Sequence, residues 1–216
     1  MNMENMTGSN SLFQTENFIK EQVIISIIWA NFFGLIVLCI SILFFGIPFV
    51  SLYTLRFSDF FLFHQIERLS EQQLLVFTLK LTLMMFIILF LSAIHEIIHG
   101  LFFALFAESK FKSVKFGIMP AKKLFTLYCH CKEPRKLQHY RIATLMPLVI
   151  LGILPAMISL LTGNITLLVI GIIMTCGSDG DILLFIKLRK AKKNCWIQDH
   201  PTEAGFIVYR EKEVVK

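Results

Sequence analysis

The apolar positions of this chain gather into four long runs instead of recurring at the spacing of an amphipathic helix or strand. They extend over about 23–52, 74–106, 142–161 and 165–188, with polar or basic residues between them. About 20 consecutive apolar residues suffice for a helix to cross the hydrocarbon core of a bilayer. Each run therefore predicts a transmembrane helix, and the chain reads as an all-α integral membrane protein of one domain. Pro48 predicts a stop or kink near the end of the first run. Only Thr162-Gly163-Asn164 separates the third run from the fourth, so these two must form an antiparallel pair.

Between the second and third runs, residues 107–141 follow another pattern. Ser113–Met119 and Leu124–Cys131 are short runs rich in Val, Phe, Leu and Tyr, separated by Pro120-Ala121-Lys122-Lys123. That pattern predicts a small β-hairpin insert. Strand alternation would place Cys129 and Cys131 on one face and His130 on the other, which argues against a metal site in this trio. The segment 53–73 mixes charges with Phe60, Phe61, Leu62, Phe63, Ile66 and Leu69. It reads as a short interfacial helix or a plain loop.

Composition agrees with the runs. Of 216 residues, 56% are apolar and 17% charged, against about 45–50% and about 25% in soluble domains. Five cysteines, two of them inside apolar runs, give no disulfide framework. Residues 1–21 hold Lys20 against Glu4, Glu16 and Glu21, so they lack the basic region of a signal peptide, and the first run is expected to be retained.

Charge adds orientation. Nine Lys and Arg fall in 107–141 and eight from Lys187 onward, whereas 53–73 holds two. Basic loops stay on the cytoplasmic side, so both termini and the insert are expected in the cytoplasm of a multi-pass cell-membrane protein. The net charge of +6 then faces the lipid headgroups and does not call for nucleic acid as a partner.

The chemistry lies near the end of the second run, in His95-Glu96-Ile97-Ile98-His99-Gly100. Residues four apart share a helix face, so His95 and His99 can converge on one zinc ion, with Glu96 alongside as general base. An ionisable residue in an apolar span costs about 2.5–3.5 kcal/mol on the insertion scale and persists with a partner or a function. Two histidines leave a catalytic zinc one protein ligand short, and the fourth run offers Gly177-Ser178-Asp179-Gly180-Asp181. Counted from the ends of their spans, His95, His99, Asp179 and Asp181 all lie at similar depth, about 9–17 Å. Residues two apart on a helix diverge, so one of the two aspartates is expected at the metal.

These features resemble the bacterial putative zincin peptidase family of the DUF type, which is similar to the site-2 protease intramembrane metalloproteases. The shared features are H-E-x-x-H-G in a span, a hairpin-like insert, a Pro-containing span (Pro147) and G-x-x-G-D in the next. A tail of the form D-H-P-x-x-x-G-F, here Asp199 to Phe206, completes the resemblance. It implies Zn2+ held by His95, His99 and an aspartate of the fourth span, with Glu96 as catalytic base. Gly180-Asp181 points to Asp181 as third ligand, while Ser178-Asp179-Gly180, closer to the site-2 protease pattern, keeps Asp179 as the alternative.

The expected function is a zinc metallopeptidase acting on a membrane protein or peptide in or next to the bilayer, on its cytoplasmic side. The alternative is a non-enzymatic metal-binding or regulatory membrane protein that retains the site. Asp199-His200 reads as a turn or a contact with the hairpin, and Trp196 as an interfacial anchor.

Overall fold

The computed structural model describes residues 18–53, 70–121, 124–192 and 194–212. It begins with β1 (Phe18–Ile24), followed by α1 (Ile27–Ser41), a π-helical turn (Ile42–Gly46) and α2 (Ile47–Leu52). Pro48 has no N–H for the helical ladder, and the wider turn precedes it, so the span continues to Leu52 where the sequence suggested a stop or kink. The apolar face expected near residues 60–69 lies outside the described residues.

Helix α3 (Glu71–Leu105) is 35 residues long. It starts from a capping box in which the Ser70 side chain accepts from Gln73 N and the Gln73 side chain accepts from Ser70 N. Then come β2 (Val114–Ala121), β3 (Leu124–Cys131) and β4 (Arg135–Lys136). The third span consists of α4 (Leu137–Pro147), a π-helical stretch (Leu148–Ile153) and α5 (Leu154–Thr162). Gly163, at φ 71°, ends α5, and Asn164 caps α6 (Ile165–Gly177) by accepting from Thr166 N and Leu167 N. The tight turn expected there is present. Helix α7 (Asp179–Leu188), β5 (Trp196–Asp199) and β6 (Gly205–Glu211) complete the order.

Three helical stretches, Ile28–Leu52, Glu71–Leu105 and Leu137–Thr162, are long and apolar enough to cross a membrane. A fourth is made by α6 and α7 if this pair, bent by 47°, is counted as one span. The chain is thus a multi-pass, mostly helical membrane protein. β2 and β3 pair antiparallel from Val114↔Cys131 to Ala121↔Leu124, forming the predicted hairpin between the second and third spans.

A second sheet was not expected. It is four-stranded in the order β1-β6-β5-β4, so the segment before the first span pairs with the end of the chain, Phe18 opposite Glu211 and Ile24 opposite Gly205. This is why the first helix begins at Ile27 and not at 23: Val23 and Ile24 belong to the strand. The best-buried core lies here, where the ends of α3 and α7 and the start of α4 meet both sheets. Phe103, Leu137, Tyr140, Leu188, Ile197 and Phe206 form its centre. Farther along the spans the large apolar side chains are mostly exposed, as helices facing lipid require.

Candidate metal centre

His95 and His99 lie one turn apart on α3, both buried, at 8% and 7% exposure. Their rings meet edge to face with centroids 4.8 Å apart. Gly100 follows for a packing reason: a Cβ there would lie 2.2 Å from Cζ of Phe116. The absence of a side chain at 100 lets β2 press onto the helix beside the histidines.

The opposite wall is α7. Its axis departs from that of α6 at Ser178, whose hydroxyl donates to Met174 O while its N–H donates to Thr175 O. The bend turns Asp181, in the first turn of α7, toward α3. Asp181 Oδ2 lies 2.9 Å from His95 Nε2, Asp181 Oδ1 lies 3.2 Å from His99 Nε2, and the two Nε2 atoms are 3.1 Å apart. Asp179 faces elsewhere: one oxygen accepts from Gly180 N at 2.7 Å. The other lies against Gly34 of α1, where a Cβ would come within 2.5 Å of it.

The donor set suits a metal ion. Among the described residues, His95, His99 and Asp181 form the one group of three such side chains able to hold a cation. Tetrahedral zinc with bonds of about 2.0 Å separates its ligand atoms by about 3.3 Å, close to the spacings here. Proton positions lead to the same place. His99 Nδ1 lies 2.9 Å from the carbonyl oxygen of Ala143, which can only accept, so Nδ1 carries a proton and, in the neutral ring that a metal requires, Nε2 is the nitrogen with the lone pair. That lone pair faces an Asp181 oxygen and the His95 nitrogen together, an arrangement a cation satisfies.

The sequence also explains why the Ala143 carbonyl is available. In an α-helix it would accept from the N–H of residue 147, and residue 147 is proline. The freed carbonyl orients His99, a supporting hydrogen bond of the kind metal-binding histidines usually make. Pro147 was legible as a feature of the span; its link to the site was not.

A pocket of about 140 Å³ opens beside the cluster. Glu96, His99 and Asp181 line it from the spans, Leu127, Tyr128 and Cys129 from β3, and Tyr140 and Asp199 from α4 and the tail. Glu96 is half-buried, and the backbone N–H of Cys129 is directed at its carboxylate. Cys131 N donates to Asp199 Oδ2 at 2.6 Å, so this amide points away from β2. By strand alternation Leu127, Cys129 and Cys131 present their backbone groups along the same outer edge, toward the pocket.

The thiols next to His130 do not join the cluster. Burial, with the charge of Asp199, holds the Cys131 thiol at about 12 and pushes Cys129 up as well, so both stay protonated and are poor metal ligands. Burial lowers His130, whose Nδ1 is 3.9 Å from Asp199 Oδ2. His200 closes the turn between β5 and β6: its Nδ1 accepts from Glu203 N at 2.9 Å. Asp199, by contrast, reaches the pocket wall, where it accepts from Tyr140 Oη as well as from Cys131 N. Burial raises its carboxyl against both hydrogen bonds. Trp196 lies in β5 opposite Tyr209 and Lys136.

One family model, DUF3267, described as "Putative zincin peptidase", matches residues 87–196. That range contains the histidines, the hairpin, Pro147 and Asp181. No curated protein and no solved structure matches the chain.

Proposed function

The chain belongs to the putative zincin peptidase family, and from that membership and the geometry of the cluster we propose that it is a zinc-dependent membrane metalloprotease. Zinc is held by His95, His99 and Asp181, and Glu96 is the general base. The observation that carries this reading is the convergence of three side chains: the two Nε2 atoms are 3.1 Å apart and each lies 2.9–3.2 Å from one oxygen of Asp181, while Nδ1 of His99 is bonded to the Ala143 carbonyl. The placement of Glu96 on the wall of the adjoining pocket supports this reading over that of a metal-binding regulator. A pure metal binder needs no carboxylate beside its imidazoles.

When bound, zinc supplies Lewis-acid polarisation of the scissile carbonyl and lowers the pKa of water. The residues of the chain do the rest. Glu96 takes the proton of the attacking water and passes it to the leaving amine. The Ala143 carbonyl keeps His99 in the tautomer that presents Nε2. The outer edge of β3, where Leu127 and Cys129 line the pocket, can hold an extended substrate segment by strand addition once the Cys129 N–H turns from Glu96 to the substrate. A substrate helix would have to unwind locally to pair in this way.

The excess of basic residues in 107–141 and after Lys187 supports a cytoplasmic position for the hairpin, both termini and the cleavage event. The chain acts as one membrane-embedded domain over residues 1–216, in a bacterial cell membrane. Substrates are membrane proteins or peptides that reach the pocket from the bilayer or its surface.

The test is Glu96→Gln, which keeps size and hydrogen bonding while removing basicity. Proteolysis of a co-expressed membrane substrate should fall about 10²–10⁴-fold, the usual worth of general-base catalysis. Zinc content by elemental analysis of the purified protein should stay at that of the parent. Full activity in this variant sinks the hydrolytic mechanism, and loss of zinc makes Glu96 a ligand.

A further inference from the structure

Asp199 is the part of the site that the proposed chemistry leaves without a task. It comes from the tail, far in sequence from the histidines, yet it lines the same pocket. Its side chain is 15% exposed. Each oxygen has a different partner: Oδ1 accepts from the hydroxyl of Tyr140 on α4, and Oδ2 accepts from the backbone N–H of Cys131 on β3. Both partners are themselves buried, Tyr140 at 1% exposure and Cys131 at 0%.

One carboxylate therefore joins three elements that make no common sheet. β3 belongs to the hairpin, β5 to the four-stranded sheet, and α4 is the helix whose Ala143 carbonyl orients His99. β3 pairs with β2 along its other edge. On the pocket side, Asp199 caps the outer edge of β3 at Cys131. Leu127 and Cys129, four and two residues earlier on the same edge, line the pocket together with Glu96 and His99.

We propose that Asp199 is a positioning residue: by bridging the Cys131 amide and the Tyr140 hydroxyl it fixes the outer edge of β3 relative to His95, His99 and Asp181, so that an extended peptide paired to that edge presents its backbone carbonyl at the metal cluster. This rests on the zinc-peptidase reading and adds to it the element that sets substrate register. Asp199 acts through its two hydrogen bonds and transfers no proton. Asparagine can keep both, accepting from Cys131 N and donating to the Tyr140 oxygen once that hydroxyl rotates. Alanine can keep neither.

The experiment compares two zinc-directed probes on the full-length zinc-loaded chain in nanodiscs. Acetohydroxamic acid reads the metal alone, and a tetrapeptidyl hydroxamate reads metal and strand edge together. Asp199→Ala should weaken the peptidyl probe about 10–100-fold, as loss of two buried hydrogen bonds implies, with acetohydroxamic acid unchanged. Asp199→Asn should bind both within about threefold of the parent. Tyr140→Phe, which removes one bridge and keeps the ring, should weaken only the peptidyl probe, and it decides the matter if the alanine variant does not fold. Unchanged peptidyl affinity in Asp199→Ala or Tyr140→Phe overturns the inference. So does an equal loss in Asp199→Asn and Asp199→Ala, which would make the charge the active feature. A parallel loss of both probes in Asp199→Ala assigns the residue to the metal cluster and overturns it too. If the parent chain binds zinc or acetohydroxamic acid not at all, the reading of the site falls, and this inference with it.

Discussion

The two ends of α3 obey different rules. From Leu74 to Phe90 the helix shows Leu74, Leu75, Val76, Leu79, Leu81, Leu83, Met85, Phe86, Leu89 and Phe90 as exposed large apolar side chains over most of its circumference, with Phe77, Met84, Ile87 and Ile88 half-buried along one stripe. From His95 to Ala104 it buries His95, Ile98, His99, Gly100, Phe103 and Ala104. Lipid asks of the first end only that it be apolar, with its backbone bonds made internally. The second end must meet the hairpin at Gly100, α4 at His99 and α7 at His95, so one face of it is packed against protein while Ile97 and Leu101 on the other stay exposed. One helix thus combines a tolerant half and an exacting half, and substitutions should divide along the same line.

The largest effect is expected at the exacting end. His95→Ala, His99→Ala and Asp181→Ala should each abolish stoichiometric zinc in the purified protein, because each removes one of the three converging ligand atoms. Asp179→Ala should keep it, since that carboxylate is engaged with Gly180 N and lies against Gly34. Elemental analysis of all four variants decides the matter. Zinc lost in Asp179→Ala and kept in Asp181→Ala would reverse the assignment of the two aspartates.

Pro147→Ala sharpens the comparison, because stability and metal binding should move in opposite directions. Alanine restores an N–H that competes for the Ala143 carbonyl, so His99 loses its fixed orientation. Zinc affinity should drop about 10–100-fold, the usual effect of losing a supporting hydrogen bond. The metal-free protein should be no less stable, since proline within a helix costs about 3 kcal/mol. Competition titration with a chelator and unfolding of the apoprotein measure the two. Unchanged zinc affinity would show that the carbonyl does not hold His99.

How much of this could be read from sequence follows the same division. The spans were legible because hydropathy is a property of the run itself. So was the hairpin, since Pro120 and the residues around it mark the change of direction between two β-rich stretches. H-E-x-x-H was legible because four residues make one helical turn, a local fact. The four-stranded sheet was not: β1 and β6 lie at opposite ends of the chain, and nothing local in Phe18–Ile24 names Gly205–Glu211 as its partner. The choice between Asp179 and Asp181 depended on the direction of the bend at Ser178, which spacing along an ideal helix leaves open. Asp199-His200 was legible as part of a family-like tail and as a turn or a contact with the hairpin, and both are present; the bridge from Cys131 to Tyr140 was not, since both partners are distant in sequence.

A smaller effect is expected at the packing contact between hairpin and helix. Gly100→Ala places a methyl 2.2 Å from Cζ of Phe116. The ring is the end of a side chain 48% exposed, so it can swing away, at about 1–3 kcal/mol for overpacking. Phe116→Leu shortens the obstacle and should recover most of the loss, a coupling that a double-mutant cycle measures. Additive losses would mean that the two residues do not press on one another.

The smallest effect belongs to the tolerant end and is the sharpest check on the contrast. Leu83 is 60% exposed and Leu89 61%, on a part of α3 where the surroundings are lipid tails as apolar as leucine itself. Truncating either to alanine leaves the backbone bonded and removes contacts only with lipid, which closes over the gap. Helix propensity favours alanine slightly. Leu83→Ala and Leu89→Ala should therefore change unfolding free energy in bicelles by no more than about 0.5 kcal/mol, the range of substitutions outside packed regions. Zinc content should not move. A cost well above 1 kcal/mol at either position would mean that this face is covered by protein in the bilayer, either a second copy of the chain or another helix. The division of α3 into a lipid-facing half and a packed half would then fail.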